Sequence, residues 1–132
     1  MKINSFEDIE SWKKARELTN NIYDHTENGK FANDWDLKRQ IRRSCESIMS
    51  NIAEGFERDG NREFVQFLSV AKGSCGEARS QLYLALDRGY VSEKQFNELM
   101  QQMLGTSRLI AGFMRYLRYS QNKGSKFRST GK

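Results

Sequence analysis

The sequence predicts an all-α protein, an antiparallel up-down-up-down four-helix bundle with a basic C-terminal tail. Three observations carry this prediction. The 132 residues contain no proline, a residue that removes a backbone hydrogen bond from a helix interior and clashes with the preceding turn. Apolar residues recur every three or four positions in four segments separated by short turns, which is typical of amphipathic helices in a bundle. No segment shows sustained alternation of apolar and polar residues, so no sheet is expected.

The first helix is expected to begin at Ser5, because Asp8 follows three residues later at the spacing of a capping box. Asn28-Gly29 is expected to end it. Its apolar stripe comprises Ile9, Trp12, Ala15, Leu18 and Ile22.

The second helix is expected to begin at Asn33, ahead of Asp34 and Asp36, whose charges are favourable at a helix N-terminus. Gly55 and Gly60 bracket its exit. Its apolar stripe comprises Leu37, Ile41, Cys45, Ile48, Ile52 and Phe56.

The third helix is expected to run from about Asn61 to Gly89, which has the position of a C-terminal capping glycine. Its stripe comprises Phe64, Phe67, Leu68, Ala71, Cys75, Ala78, Leu82 and Leu86. Ser92, with Gln95 three residues later, is expected to open the fourth helix. The stripe of that helix comprises Phe96, Leu99, Met103, Ile110, Met114 and Leu117.

The length and composition favour one domain over residues 1–120, followed by a flexible basic tail over residues 121–132, which lacks apolar periodicity. Two cysteines are too few for a disulfide scaffold. No apolar run approaches the ~18 residues of a membrane span. The N-terminus leads directly into a polar pattern without a signal peptide, so a cytoplasmic location is expected.

The charge is unevenly distributed along the chain. The net charge is +5, yet residues 1–98 hold 15 Lys and Arg against all 17 Asp and Glu. Residues 99–132 hold seven basic residues and no acidic one. An acid-free basic segment indicates a polyanionic partner, or alternatively a solubilising tail.

The candidate phosphate contacts lie in two places, on the second predicted helix and towards the C-terminus. They are Lys38, Arg39, Arg42, Arg43, Arg108, Arg115, Arg118, Lys123, Lys126 and Arg128. Four cations within two helical turns repel one another unless an anion lies near, and a nucleic-acid backbone supplies such anions. The alternative is a solvated face compensated by Asp34, Asp36 and Glu46. No zinc-finger spacing, aromatic strand pair or helix-turn-helix signature is present, so binding is expected to depend on backbone and salt.

A second face of the fourth helix indicates contact between copies of the chain. Gly105, Leu109, Gly112 and Tyr116 lie opposite its core stripe, and each interior glycine costs about 1 kcal/mol relative to alanine. Another helix packed closely against this face would explain them, whereas the alternative is that the glycines are tolerated in solvent. Asn51 and Glu54 lie at the flank of the second stripe and are expected to hydrogen-bond at a helix or subunit interface; the alternative is that they belong to a functional site.

Catalysis finds little support in the sequence. The single histidine, His25, is expected at a helix end, and one histidine cannot supply the paired ligands of a di-iron bundle. Cys45 and Cys75 lie on core stripes, where buried thiols are inert. No phosphate-binding glycine loop is present. We therefore expect no enzyme activity, no metal and no cofactor.

Several segments together resemble one protein family. They are Phe6 to Leu18 (FEDIESWKKAREL), Leu37 to Ser44 (LKRQIRRS), Ser47 to Phe56 (SIMSNIAEGF), Glu63 to Leu68 (EFVQFL), Ala71 to Ser74 (AKGS), Glu77, Gln81-Leu82 and Gly89-Tyr90. They resemble the bacterial four-helix-bundle proteins encoded in intervening sequences of 23S ribosomal RNA genes. The resemblance covers roughly residues 5–118, and the Ser-Asn-Ile-Ala-Glu-Gly block is its most specific part. Met49 stands where the family usually has proline, which predicts a straighter second helix.

The resemblance implies a homopentameric ring of four-helix protomers with a basic surface and no established enzyme activity. A related group comprises accessory proteins of diversity-generating retroelements, which are similar pentamers that bind a reverse transcriptase and its RNA. The leading hypothesis is therefore a non-catalytic, oligomeric nucleic-acid-binding protein associated with ribosomal RNA. The alternative is a protein-interaction scaffold, such as a reverse-transcriptase accessory subunit.

Overall fold

The protein is all-α, as the sequence predicts. A computed structural model describes residues 2–122, with side chains up to residue 120. It contains a short 3-10 helix (Phe6–Asp8) and the helices α1 (Glu10–His25), α2 (Gly29–Asn33), α3 (Trp35–Glu57), α4 (Asn61–Asp87) and α5 (Glu93–Asn122). No strand occurs in this part of the chain. The predicted tail cations Lys123, Lys126 and Arg128 lie outside the described residues.

The four long helices form the bundle that the four stripes predict. α3 packs between α1 and α4, and α5 packs between the same two helices on the other side. α3 and α5 are therefore diagonal to each other across the core. The predicted stripes supply most of the buried apolar side chains, including Leu18, Ile41, Leu68 and Met103. Phe67 and Leu86 are only half-buried, so they lie at the edge of the core.

The N-terminal segment corrects the predicted start of the first helix. Ser5 precedes the 3-10 helix rather than α1, and the Asp8 carboxylate accepts the backbone N–H groups of Asn4 and Ser5 at 2.9 and 3.3 Å. Ile9 is extended (φ −77°, ψ 124°), and α1 begins at Glu10. This break in the helix buries the side chains of both Ile3 and Ile9.

The start of α3 corrects the prediction for the second helix. The N-cap is Asp34, not Asn33, and its carboxylate accepts the N–H of Leu37 at 3.1 Å. The preceding residues form the unpredicted short helix α2, whose Phe31 is buried and stacks on Tyr90 at 5.2 Å between ring centroids. A lone aromatic in a five-residue segment has no periodicity, so no sequence pattern predicts this helix.

The turn between α4 and α5 confirms two predicted signals. Gly89 has φ +74°, its N–H donates to the carbonyl of Leu86, and Tyr90 N–H donates to that of Ala85, which is the Schellman arrangement. Ser92 and Gln95 exchange hydrogen bonds of 2.8 and 3.1 Å as a capping box.

α3 approaches α4 closely at Gly55. It is buried, and a Cβ atom built on it would lie 2.7 Å from Cβ of Phe67 and 2.8 Å from Cδ1 of Phe64. Phe64 is itself fully buried, with its ring against those of Phe56 and Phe113. The glycine of the predicted exit is thus a packing residue inside α3. The helix also runs on unbroken through Met49.

Candidate nucleic-acid interface

The first half of α3 presents three of the predicted cations on its outer surface. Arg39 and Arg43 are exposed. Lys38 is half-buried, and its Nζ lies 5.5 Å from the centroid of the Trp35 ring. No carboxylate of residues 2–120 forms an ion pair with these three side chains. We name Lys38, Arg39 and Arg43 the α3 cluster.

Arg42, the fourth cation predicted there, has a different environment. Its Nε donates to Thr26 Oγ1 at 2.8 Å, and its guanidinium carbon lies 4.1 Å from the centroid of the Tyr23 ring. The Tyr23 hydroxyl donates in turn to Glu46, and this bond, with burial, raises the pKa of the tyrosine. Arg42 therefore joins α3 to the end of α1, and we remove it from the set of candidate phosphate contacts.

The second set of cations lies on the later part of α5. Arg108, Arg115 and Arg118 are exposed, and α5 contains no acidic residue after Glu98. No ion pair to these arginines occurs within residues 2–120. We name these three residues the α5 cluster.

The structure does not bring the two clusters together on one protomer. α3 and α5 are diagonal in the bundle, and the Tyr90 hydroxyl bonds the Asp34 carboxylate at 2.8 Å where both helices start. The α3 cluster is close to that end, whereas the α5 cluster extends from Arg108 in the middle of α5 to Arg118 near its other end. At 1.5 Å per residue, roughly 10–35 Å of helix separates them along the bundle. Each copy of the chain therefore has two distinct basic surfaces.

Glu54 forms an ion pair within its own chain. Its carboxylate accepts from Arg58 at 3.0 Å, and Arg58 also reaches Glu63 at 3.2 Å. These side chains are about half-exposed. Asn51 lies in a polar seam between α3 and α4, where its amide donates to the carbonyl and hydroxyl oxygens of Ser47. Both predicted interface residues thus have local hydrogen-bond partners.

The other predicted interface residues line the junction of α5 with α1. Leu109, Gly112 and Tyr116 border a groove of about 380 Å³ whose other wall includes Ile3 and Ile9. Leu109 is 37% exposed and Tyr116 48% exposed. A Cβ atom on Gly105 would meet nothing within 4 Å, so packing inside the protomer does not require that glycine.

The single histidine and the two cysteines lie at positions typical of residues with a structural role. His25 lies in the last turn of α1, with Nδ1 2.8 Å from the carbonyl oxygen of Asn21. Cys45 and Cys75 are free and buried. Burial raises the pKa of the Cys45 thiol to about 12 and that of Cys75 to about 11, so both are protonated at neutral pH and poor nucleophiles.

Two further findings concern membrane spans and metal ligands. Among residues 2–122, no helix combines the length and apolar character needed to cross a membrane. No group of three or more histidine, cysteine or acidic side chains in this range could hold a metal ion.

Sequence reasoning missed a surface beside the α3 cluster. Trp35 and the cations Lys30 and Arg88 line a shallow pocket of about 560 Å³. Asp34 also borders the pocket. Its pKa is lowered mainly by the hydrogen bond from the Tyr90 hydroxyl and, to a smaller extent, by the bond from the Leu37 N–H. Lys30 comes from α2, Trp35 from α3 and Arg88 from the end of α4, so only the folded chain places them together. A single tryptophan outside every apolar stripe was the one available signal.

Comparison with known proteins places these features in context. A family model described as "23S rRNA-intervening sequence protein" matches residues 7–112. A crystal structure from Bacteroides thetaiotaomicron VPI-5482, of a protein with unknown function from the S23 ribosomal protein family, superimposes with a TM-score of 0.69. The two chains are 21% identical, and the match covers 79% of this chain and 97% of that one. This similarity shows the shared fold. No curated protein matches the chain.

Proposed function

Because the chain belongs to the 23S rRNA-intervening sequence protein family, we propose that it is a non-catalytic, oligomeric protein that binds RNA, and ribosomal RNA in particular. One observation carries the proposal. The α3 and α5 clusters together place five exposed arginines on the surface, and none of them forms an ion pair within residues 2–120. Such side chains can neutralise phosphates and release the counterions condensed on a nucleic acid.

The separation of the clusters determines how binding works. One cluster contacts only a few phosphates, and such contacts are individually weak and sensitive to salt. Two clusters per copy, repeated in an oligomer, let one RNA bridge several sites, and linked sites can raise affinity by orders of magnitude. The proposed mode is therefore multivalent backbone binding with little base preference at the arginines themselves.

Direct binding tests the proposal. The wild-type protein is expected to bind a 23S ribosomal RNA fragment at ~50 mM salt and to lose at least tenfold in affinity by ~200 mM, because phosphate contacts weaken steeply with salt. Filter binding or fluorescence anisotropy measures both values. Undetectable binding at the lower salt concentration would refute the function.

We propose also that copies associate through the groove between α1 and α5, as a pentamer by analogy with the family. An apolar groove bordered by Leu109 and Tyr116 gains from burial against another protein surface. Leu109→Glu should therefore shift the sedimentation coefficient towards that of a monomer, while helical circular dichroism is unchanged. Gly105→Ala should weaken association but not the folded protomer, where the added methyl group meets nothing. A wild-type monomer at micromolar concentration would exclude this arrangement.

The same groove favours a second candidate function, an interaction scaffold such as a reverse-transcriptase accessory subunit. In that case an apolar helix of the partner protein occupies the groove, and RNA contributes only a bridge. Co-purification with a reverse transcriptase that survives nuclease treatment, and that Leu109→Glu abolishes, would favour this function. Loss of the partner on nuclease treatment would favour RNA binding.

A further inference from the structure

We propose that Trp35 is a stacking platform for an unpaired base of single-stranded RNA, and that Lys30, Lys38 and Arg88 contact the adjoining phosphates. This inference rests on the proposed function. It specifies that the surface at the start of α3 binds single-stranded RNA.

The exposure of the indole is the first observation. Trp35 is 66% exposed, the largest fraction among the exposed large apolar side chains of residues 2–120. A tryptophan in this state adds little to the core. The Lys38 ammonium lies over its ring, and a flat aromatic group can stack on the opposite face. Every nucleobase has such a face, and stacking of a base on an aromatic side chain is the common mode of recognition for unpaired nucleotides.

The surrounding charge selects a nucleotide over an uncharged aromatic partner. Lys38 Nζ lies 5.5 Å from the Trp35 ring centroid, and Lys30 and Arg88 line the same pocket. Two carboxylates also border it, Asp34 and Asp36. Both oxygens of Asp34 accept bonds from the protein, but the carboxylate keeps its charge. The three cations therefore outnumber the two carboxylates by one, and this excess favours an anionic ligand.

The backbone beneath the indole is held in place before any ligand arrives. Asp34 caps α3 immediately before Trp35 and accepts the Tyr90 hydroxyl at 2.8 Å. Tyr90 stacks on the buried Phe31 at 5.2 Å. Since the backbone that carries the indole is already ordered, binding costs little backbone conformational entropy.

Stacking on Trp35 requires a base that is free of its neighbours. In a duplex each base is stacked on both sides, so a duplex can engage only the cations. The surface should therefore distinguish single-stranded from double-stranded RNA, although both have the phosphates that the arginine clusters bind.

The fluorescence of Trp35 tests the inference. The chain contains two tryptophans, so Trp12→Phe leaves Trp35 as the only indole. The protein is titrated with an unstructured oligouridylate, with a blunt-ended RNA duplex of equal phosphate number, and with uridine monophosphate. We expect the single strand to quench the indole, the duplex to bind without quenching, and the mononucleotide neither to bind nor to quench at equal nucleotide concentration. Trp35→Ala should lose about 5- to 150-fold in affinity for the single strand and less than about twofold for the duplex, and Trp35→Phe should recover part of the loss.

The outcomes separate the two proposals. If the wild-type protein binds both RNAs but Trp35→Ala binds the single strand as tightly, the stacking platform is refuted and the proposed function stands. If neither RNA binds at low salt, the proposed function fails and the platform with it. Quenching by the mononucleotide at equal affinity would make a free nucleotide the ligand and overturn the assignment to an RNA strand. Circular dichroism of Trp35→Ala checks the fold.

Discussion

Replacing Gly55 with alanine should destabilise the protein by about 1–2 kcal/mol, even though alanine is the better helix former. The added methyl group would lie 2.7 Å from Cβ of Phe67 and 2.8 Å from the Phe64 ring. The Phe67 atom is bonded directly to the backbone of α4, and Phe64 is enclosed by Phe56 and Phe113. Overpacking of a core costs typically about 1–3 kcal/mol. Two contacts below 3 Å, one of them to Cβ of Phe67, put Gly55 in the upper part of that range, above the gain of about 1 kcal/mol in helix propensity. Gly55→Val adds more volume and should cost more.

Gly73 supplies the matched control for Gly55. It also lies inside a long helix, but a Cβ atom there meets nothing within 4 Å. Gly73→Ala should therefore stabilise the folded protomer by about 0.5–1 kcal/mol. Urea unfolding of the two variants measures both effects. Equal stabilisation by both substitutions would contradict the close approach of α3 to α4.

Reversing the charge of Arg39 and Arg43 together should weaken RNA binding by roughly 10- to 100-fold at ~100 mM salt. Each substitution to glutamate removes a phosphate contact and adds a repulsion, and the effect recurs at every copy in contact with the strand. Both side chains are exposed and form no ion pair within residues 2–120. The fold should therefore tolerate the change, and the unfolding midpoint should shift little.

The control variant must have the same net charge as the Arg39→Glu, Arg43→Glu variant, with the two substitutions at a different place on the surface. Lys13→Glu with Lys72→Glu reverses two exposed cations on α1 and α4 that belong to neither cluster. This variant should lose only a fewfold in affinity through the reduced long-range field. Equal losses in the two double variants would mean that net charge, rather than the α3 cluster, determines binding.

Much of the fold could be predicted because each long helix has a continuous apolar stripe and recognisable ends. Gly89, Ser92 and Gln95 have the capping roles that their residue types predict. The misplaced boundaries have a shared cause. At Ile9 and at Asp34, tertiary burial and side-chain bonds determine which of several neighbouring residues begins the helix, because their local propensities are similar. The local pattern of residues does not show which of these contacts is made.

The types of residue in the candidate site could be predicted from the sequence, but their arrangement in space could not. A helical wheel places Arg42 beside Arg39 and Arg43, yet Arg42 bonds Thr26 at the end of the neighbouring α1. The wheel of one helix contains no information about its neighbours. Likewise, the surface at Trp35 joins residues from three helices. Periodicity locates the face of a residue on its own helix, whereas a site between helices depends on how those helices pack.

The most direct test of phosphate binding by the α3 cluster is the slope of log Kd against log salt concentration for RNA. The slope counts the phosphates that a protein neutralises. Arg39→Gln with Arg43→Gln should reduce its magnitude by about 1 for each arginine removed. A slope equal to that of the wild-type protein would contradict the account, because these two side chains would then contact no phosphate.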